Sequence, residues 1–223
     1  MARLVRGLEP GVVRANLDAV LAEVVTSAEA VGRNPSDVEI LAACKYVPCE
    51  ELPVLAAAGI TLVGENRVQD LGEKVAAHGE LFVWDFIGTL QSKHVRAVVP
   101  HVRLIHSLAT ESALAALQRH TGLGRPGMEV LIEVNLAEDP SKAGIAPREL
   151  ASFIERSPFP VTGLMTMPPL AKEPEQSRPW FARLRELAHE HGLRKLSMGT
   201  TQDFAVAVEE GATIVRIGTR LYA

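Results

Sequence analysis

"ILAACKYVP", residues Ile40–Pro48, is a run of small and apolar residues closed by a lysine. The apolar part, Ile40 to Cys44, is too short for a helix and reads as a buried strand. A lysine at the end of such a strand is costly to bury unless it is paired, loses its proton, or reacts. Outward from this stretch the same unit repeats. Further strands are predicted at Thr61–Val63, Phe82–Ile87, Leu104–Ser107, Glu129–Asn135, Val161–Met165, Lys195–Met198 and Thr213–Ile217, after a first at Glu39–Cys44. Helical segments lie between them at Glu50–Ala58, Arg67–His78, Thr110–Arg119, Pro147–Arg156, Gln176–His191 and Asp203–Glu210. An opening helix over residues 10–31 carries Leu17, Val20, Leu21, Val24 and Val25 on one stripe. Eight strands alternating with helices predict an α/β fold, a closed (β/α)8 barrel of the TIM type. A doubly wound open sheet is the alternative, and the absence of GxGxxG after the first strand counts against it. The sequence stops soon after strand eight with "GTRLYA", so the opening helix is expected to cover the place of a last helix. No composition shift divides residues 1–223, which read as one domain.

Composition narrows the function. Net charge is −4 with no run of lysine and arginine, which argues against a nucleic-acid partner held through phosphates. Apolar stretches break within about ten residues, too short to span a bilayer. "MARLVRGLEPGVVRANLD" has no long apolar core of the kind a secretory signal carries. The two cysteines, Cys44 and Cys49, lack metal-ligand spacing and read as reduced thiols of a cytoplasmic protein. The histidines form no HxxxH pair, so no metal is expected.

In a barrel of this kind the chemistry sits at the C-terminal ends of the strands, with phosphate held after strands seven and eight. Strand one ends in Lys45 and strand two in "GEN" (Gly64–Asn66). Strand seven ends in "SMGTTQDF" (Ser197–Phe204) and strand eight in "VRIGTR" (Val215–Arg220). The last two loops are rich in glycine and hydroxyls, as a phosphate cradle requires. Strand eight closes beside strand one, so a lysine would stand next to a phosphate pocket. That pairing suggests an imine to a phosphorylated aldehyde. Arg216, between Val215 and Ile217, alternates to the opposite face and is expected to point into the barrel.

The segments "CKYVP", "GENRVQDL", "FIGTLQSKHV", "IHSLATESALAAL", "EVNLAEDPSKAGI", "GLMTM" and "LSMGTTQDFAVAVEEGATIVRIGT" resemble the YggS/PROSC family of pyridoxal-phosphate homeostasis proteins, in order and over nearly the whole chain. The resemblance implies the alanine racemase N-terminal barrel, fold type III of the pyridoxal 5′-phosphate (PLP) proteins. It also implies PLP held covalently as a Schiff base on Lys45, whose pKa would need lowering by desolvation. Arg216 is implied at the pyridine nitrogen, where a group that keeps its proton makes the ring a weaker electron sink. Gly218 and Thr219 would present amides and a hydroxyl to the phosphate, and Thr201 a second hydroxyl. Asn66 would hydrogen-bond the ring or orient Lys45, its alternative being a helix cap. Ser197 and Met198 would line the site, whereas Met165 and Met167 read as barrel packing. The chain departs from the family pattern at Asp85, usually histidine. It departs again at Gln91–His94, often "QSNK", and at Thr201, where "SMGMS" becomes "SMGTT" and a hydroxyl is kept.

Four functions fit a lysine beside a phosphate site: a racemase, a PLP carrier, a Schiff-base aldolase and an interaction scaffold. The barrel racemases take an opposing tyrosine from a second domain, for which this chain has no room. Tyr46 follows Lys45 and, if the strand geometry persists, points away from it; Tyr222, next to the end, is expected to be frayed or packed. No second general base is evident. The expectation is a monomeric, non-enzymatic PLP-binding protein that buffers the cofactor or delivers it to apo-enzymes, with PLP-dependent amino-acid racemisation as the alternative.

Overall fold

Apolar strands flanked by helices can bury both faces in a closed sheet, and in the computed structural model they do so. The structure describes residues 4–139 and 141–223; Met1–Arg3 of the quoted N-terminus and Pro140 of "EDPSKAGI" lie outside the described residues. Among those described, the strands are β1 (Glu39–Ala43), β2 (Leu62–Glu65), β3 (Val83–Phe86), β4 (Leu104–Leu108), β5 (Glu129–Glu133), β6 (Val161–Met165), β7 (Lys195–Thr200) and β8 (Ile214–Ile217). They pair in parallel in chain order. β8 closes on β1 from Glu39 opposite Ile214 to Ala42 opposite Ile217.

The helices are α1 (Pro10–Ala30), α2 (Leu52–Ala57), α3 (Val68–His78), α4 (Val95–Val98), α5 (Glu111–Arg119), α6 (Leu150–Arg156), α7 (Arg178–Glu190), α8 (Phe204–Glu209) and α9 (Thr219–Tyr222). Proline lies in the first turn of α1, α2 and α7, where its missing N–H costs nothing. The expected starts of α2, α6 and α7 fall instead in 3-10 turns, at Cys49–Glu51, Pro147–Glu149 and Pro174–Ser177. Thr110 caps α5, accepting from Ala113 N at 3.2 Å. The two four-residue helices α4 and α9 were not expected, because one turn is too short to show a period.

The packing has two layers. Leu41, Leu62, Leu104, Leu131, Met165 and Ile214 form the interior of the barrel, and a larger cluster fills the space between strands and helices. α1 buries Val13, Leu17, Val20, Val24 and Ala28 and packs on α8 and α9. Each such aliphatic side chain stabilises by about 1.5–3 kcal/mol when fully withdrawn from water. Asn16 Nδ2 donates to Leu221 O and Ala223 O at 3.3 and 2.9 Å. The opening helix thus covers the flank beside β8, as its position in the sequence suggested. No described helix is long and apolar enough to cross a membrane.

Candidate functional site

A cavity of about 520 Å³ opens at the C-terminal ends of the strands. Lys45, Asn66, Thr201, Arg216, Gly218 and Thr219 all line it, although they are scattered from the first strand to the last. Ser197 does not line it. Its side chain is fully buried beneath, and Met198 turns outward into the strand–helix core.

Lys45 stands where β1 has already ended. Cys44 N still donates to Gly64 O of β2 at 3.0 Å, but Val47 N bonds back to Cys44 O at 2.9 Å, so the chain turns at Lys45 and Tyr46 and strand alternation stops. Lys45 and Tyr46 therefore both reach the cavity, with Nζ 4.8 Å from the centre of the tyrosine ring. The expectation that Tyr46 points away from the lysine is overturned by this turn. Of the two expectations for Tyr222, frayed or packed, the structure shows the second. α9 holds it against the cavity wall, its hydroxyl donates to Ala43 O at 3.3 Å, and burial pushes its pKa well above the usual value.

Beneath Lys45 lies a buried ion pair. Lys74 Nζ, on α3, donates to Glu65 Oε2 at 2.5 Å and to Cys44 O at 2.8 Å. Glu65 Oε1 accepts from Asn66 N at 2.6 Å and Arg67 N at 2.9 Å. The pair thus fixes the residue before Lys45 through Lys74 and the residues after β2 through Glu65. The N-cap position of α3 is Arg67, so Asn66 does not cap it. Asn66 Oδ1 is buried and has no partner among the described residues. Gly88 lets the neighbouring loop close in, since a Cβ there would stand 2.0 Å from Asn66 O.

Arg216 does point into the barrel. It shares the inner face with Ile214, two residues earlier on β8, and is 7% exposed, and burial pulls its pKa down to about 10 against the fields of Glu133 and Asp203. Nη1 donates to Ser197 Oγ at 2.5 Å and Nη2 to Thr166 O at 3.2 Å. No carboxylate among the described residues lies within 4.0 Å of it, so the internal salt bridge that could have explained it is absent. Met167 Sδ is 2.9 Å from Nη2, and Met165 and Met167 both line the cavity rather than serving only as packing.

The loops after β7 and β8 are tied together: Gly218 N donates to Thr201 Oγ1 at 3.2 Å, leaving the threonine hydroxyl proton for an acceptor. Asp203 braces the first loop. Its Oδ1 accepts from Thr200 N at 2.7 Å and its Oδ2 from Ser177 Oγ at 2.9 Å. Gly199 (φ +87°) lies near the end of β7 where the register with β8 shifts, and a Cβ there would meet Ala207 Cβ at 2.5 Å.

Glu133 was missed by the sequence reading. It lines the cavity and is 6% exposed, burial raises its pKa, and its carboxyl has no hydrogen bond or ion pair to the described residues. The signal was available: a charged residue ends an otherwise apolar strand, as Lys45 follows one. Asp85 and His106 were also passed over as barrel-interior groups; both are fully buried and joined at 3.2 Å.

These residues fit PLP. An amine in the mouth, a buried guanidinium with no carboxylate partner, an orphaned amide oxygen and a hydroxyl-bearing double loop offer groups for its aldehyde, ring and phosphate.

Residues 16–223 match the family described as alanine racemase, N-terminal domain. The pyridoxal phosphate homeostasis protein of Aquifex aeolicus is 39% identical over 217 residues, covering 92% of this chain and 95% of that protein. Its counterpart in Pseudomonas aeruginosa is 36% identical, covering 93% of both. Among solved structures, PipY of Synechococcus elongatus with PLP bound is 33% identical with a TM-score of 0.75, covering 91% of this chain and all of that one. A lysine/ornithine decarboxylase from Vibrio vulnificus shares the fold alone, at 16% identity and a TM-score of 0.65. Lysine, arginine and two hydroxyl-bearing loops meet in one barrel mouth, and the similarity along nearly the full length places the chain in the family of pyridoxal phosphate homeostasis proteins.

Proposed function

We propose that residues 1–223 form one PLP-binding unit that holds the cofactor covalently on Lys45 and serves in intracellular PLP homeostasis, buffering it or delivering it to apo-enzymes. The observation that carries this reading is the convergence of Lys45, Asn66, Thr201, Arg216, Gly218 and Thr219 on one cavity, where Asn66 Oδ1 has no partner and Arg216 has hydrogen bonds but no carboxylate among the described residues. When bound, PLP supplies an aldehyde that condenses reversibly with a primary amine. Lys45 Nζ is the amine, accessible in the mouth and steadied on the face of Tyr46. Arg216 presents N–H donors to the ring nitrogen and withholds a mobile proton from it. Asn66 Oδ1 accepts from a donor on the ring or from Lys45. Thr201 donates its hydroxyl proton to the phosphate, Gly218 and Thr219 close the cradle, and Ser197 acts from below through Arg216. The protein works as a monomer in the cytoplasm.

Two tyrosines at the cavity favour a second reading, weak amino-acid chemistry with tyrosine as acid or base. Tyr222 is poorly suited to it. Its hydroxyl is spent on Ala43 O, and burial disfavours its anion.

The test is the visible spectrum of the purified protein with PLP, before and after borohydride, beside Lys45→Ala. A yellow band that borohydride bleaches, with PLP mass then fixed on the Lys45 peptide, is the expected result. A protein that stays colourless with PLP refutes the proposal, and turnover of added alanine would favour the second reading.

A further inference from the structure

Arg216 is the near end of a chain of buried groups that crosses the barrel interior. Arg216 Nη1 lies 2.5 Å from Ser197 Oγ, which lies 2.8 Å from His106 Nδ1; His106 Nε2 lies 3.2 Å from Asp85 Oδ2. Asp85 in turn accepts from Arg103 Nε at 3.1 Å and Nη2 at 2.8 Å, and Arg103 grips Glu39 at 2.7 and 3.1 Å. Asp85, His106 and Ser197 are all fully buried at 0% exposure.

The chemistry of the groups fixes the direction of every bond. A guanidinium only donates, so Ser197 Oγ accepts from Arg216. The serine's own proton then goes to His106 Nδ1, which must be bare. The imidazole proton sits on Nε2 and points at Asp85, which stays ionised because His106 and Arg103 donate to it. A protonated His106 would aim a second donor at Ser197 Oγ and leave the serine proton without an acceptor in a dry interior, at the cost of an unmade hydrogen bond. Burial, with the fields of Arg216 and Arg103 behind it, also keeps His106 neutral against the pull of Asp85. Apolar residues fill the rest of the barrel interior, so packing alone does not call for these groups.

We propose that Ser197, His106 and Asp85 are positioning residues: a one-way hydrogen-bond chain, anchored by Arg103 at the base of the barrel, that holds the Arg216 guanidinium in one plane with its free donors toward the cavity. Thr166 O grips the other terminal nitrogen, so the plane has two fixed points. His106 and Asp85 do not themselves line the cavity, and their hydrogen bonds reach Arg216 only through Ser197. The inference deepens the reading of Arg216 as the partner of the PLP ring and rests on it for the cofactor's part alone.

The test uses Ser197→Ala, His106→Leu, the double variant, and His106→Gln, whose amide can accept from Ser197 and donate to Asp85. Two quantities are read. Exchange of the Arg216 guanidinium protons is followed by NMR in protein without PLP, and PLP affinity and absorption maximum are measured by titration. Ser197→Ala and His106→Leu are expected to speed the exchange and to weaken PLP binding by about tenfold, the worth of one hydrogen bond to a charged group. The double variant should do no worse than Ser197→Ala alone, and His106→Gln should restore both readouts. Additive losses, or an Arg216 exchange rate unchanged in both single variants, would overturn the inference. Failure of the wild-type protein to take up PLP would instead sink the proposed function, while the exchange measurement still judges the chain. If His106→Leu does not fold, Ser197→Ala and His106→Gln decide alone: loss in the first with none in the second supports the chain, and any other pattern overturns it.

Discussion

A Lys74→Met substitution takes Nζ away from Glu65 Oε2 (2.5 Å) and Cys44 O (2.8 Å) while keeping most of the buried volume. Both partners are withdrawn from water, at 3% and 0% exposure. Breaking a buried pair from one side costs about 3–5 kcal/mol, because the other charge is stranded. Here the stranded carboxylate keeps two backbone donors, Asn66 N and Arg67 N, on Oε1. The expected loss is therefore at the low end, about 3 kcal/mol. For a chain of 223 residues that corresponds to a fall in Tm of about 6–12 °C. Two double variants separate charge from hydrogen bonding. In Glu65→Gln/Lys74→Met no charge is stranded and the amide oxygen still accepts from both N–H groups, so stability should return to within about 1 kcal/mol of wild type. In Glu65→Leu/Lys74→Met those two N–H groups lose their acceptor at about 1–3 kcal/mol each, so stability should stay low. Urea denaturation with a shared m-value reads all three. Equal stability of the two double variants would refute the account of Glu65 as both ion partner and backbone anchor. So would a loss below about 1 kcal/mol for Lys74→Met.

Burial raises the Glu133 pKa, so the folded protein holds its proton more tightly than the unfolded chain. Stability lent by the protonated form is complete below the ordinary value of 4.5 and is lost as pH rises through the raised one. Thermal melts without PLP should accordingly show Glu133→Gln gaining on wild type as pH climbs from 4 toward 8, and parallel pH curves would show that the carboxyl is not strained by burial. Gly199→Ala forces a residue with a side chain into φ +87° with its Cβ 2.5 Å from Ala207 Cβ. It should cost about 1–3 kcal/mol and weaken phosphate-dependent binding, measured as a loss of PLP affinity greater than that for pyridoxal. Equal losses for the two ligands would mean that the Gly199 irregularity in β7 does not shape the loop after it.

The barrel was legible because its signal is local. Eight short apolar runs spaced by amphipathic ones need no tertiary knowledge to be counted, and Arg216 could be aimed inward from Val215 and Ile217 by the two-residue period of a strand. Helix ends rest on equally local chemistry: Thr110 caps α5, and Gly59 and Gly192, just past α2 and α7, have positive φ. The sequence alone therefore determined the architecture, the lysine in the mouth and the two loops that face it.

Tertiary structure decided what each group meets. Alternation is valid only while the strand lasts. β1 stops at Ala43, so Tyr46 turns to the same side as Lys45. Tyr222 joins the cavity because α9 folds back on Ala43, a contact across 179 residues. Ser197 looked like a lining residue yet sits under Arg216, bonded to a histidine 91 residues away. A period says which face a side chain takes, but closing the barrel sets which faces are opposite, and those distances exist only once the last strand has paired with the first.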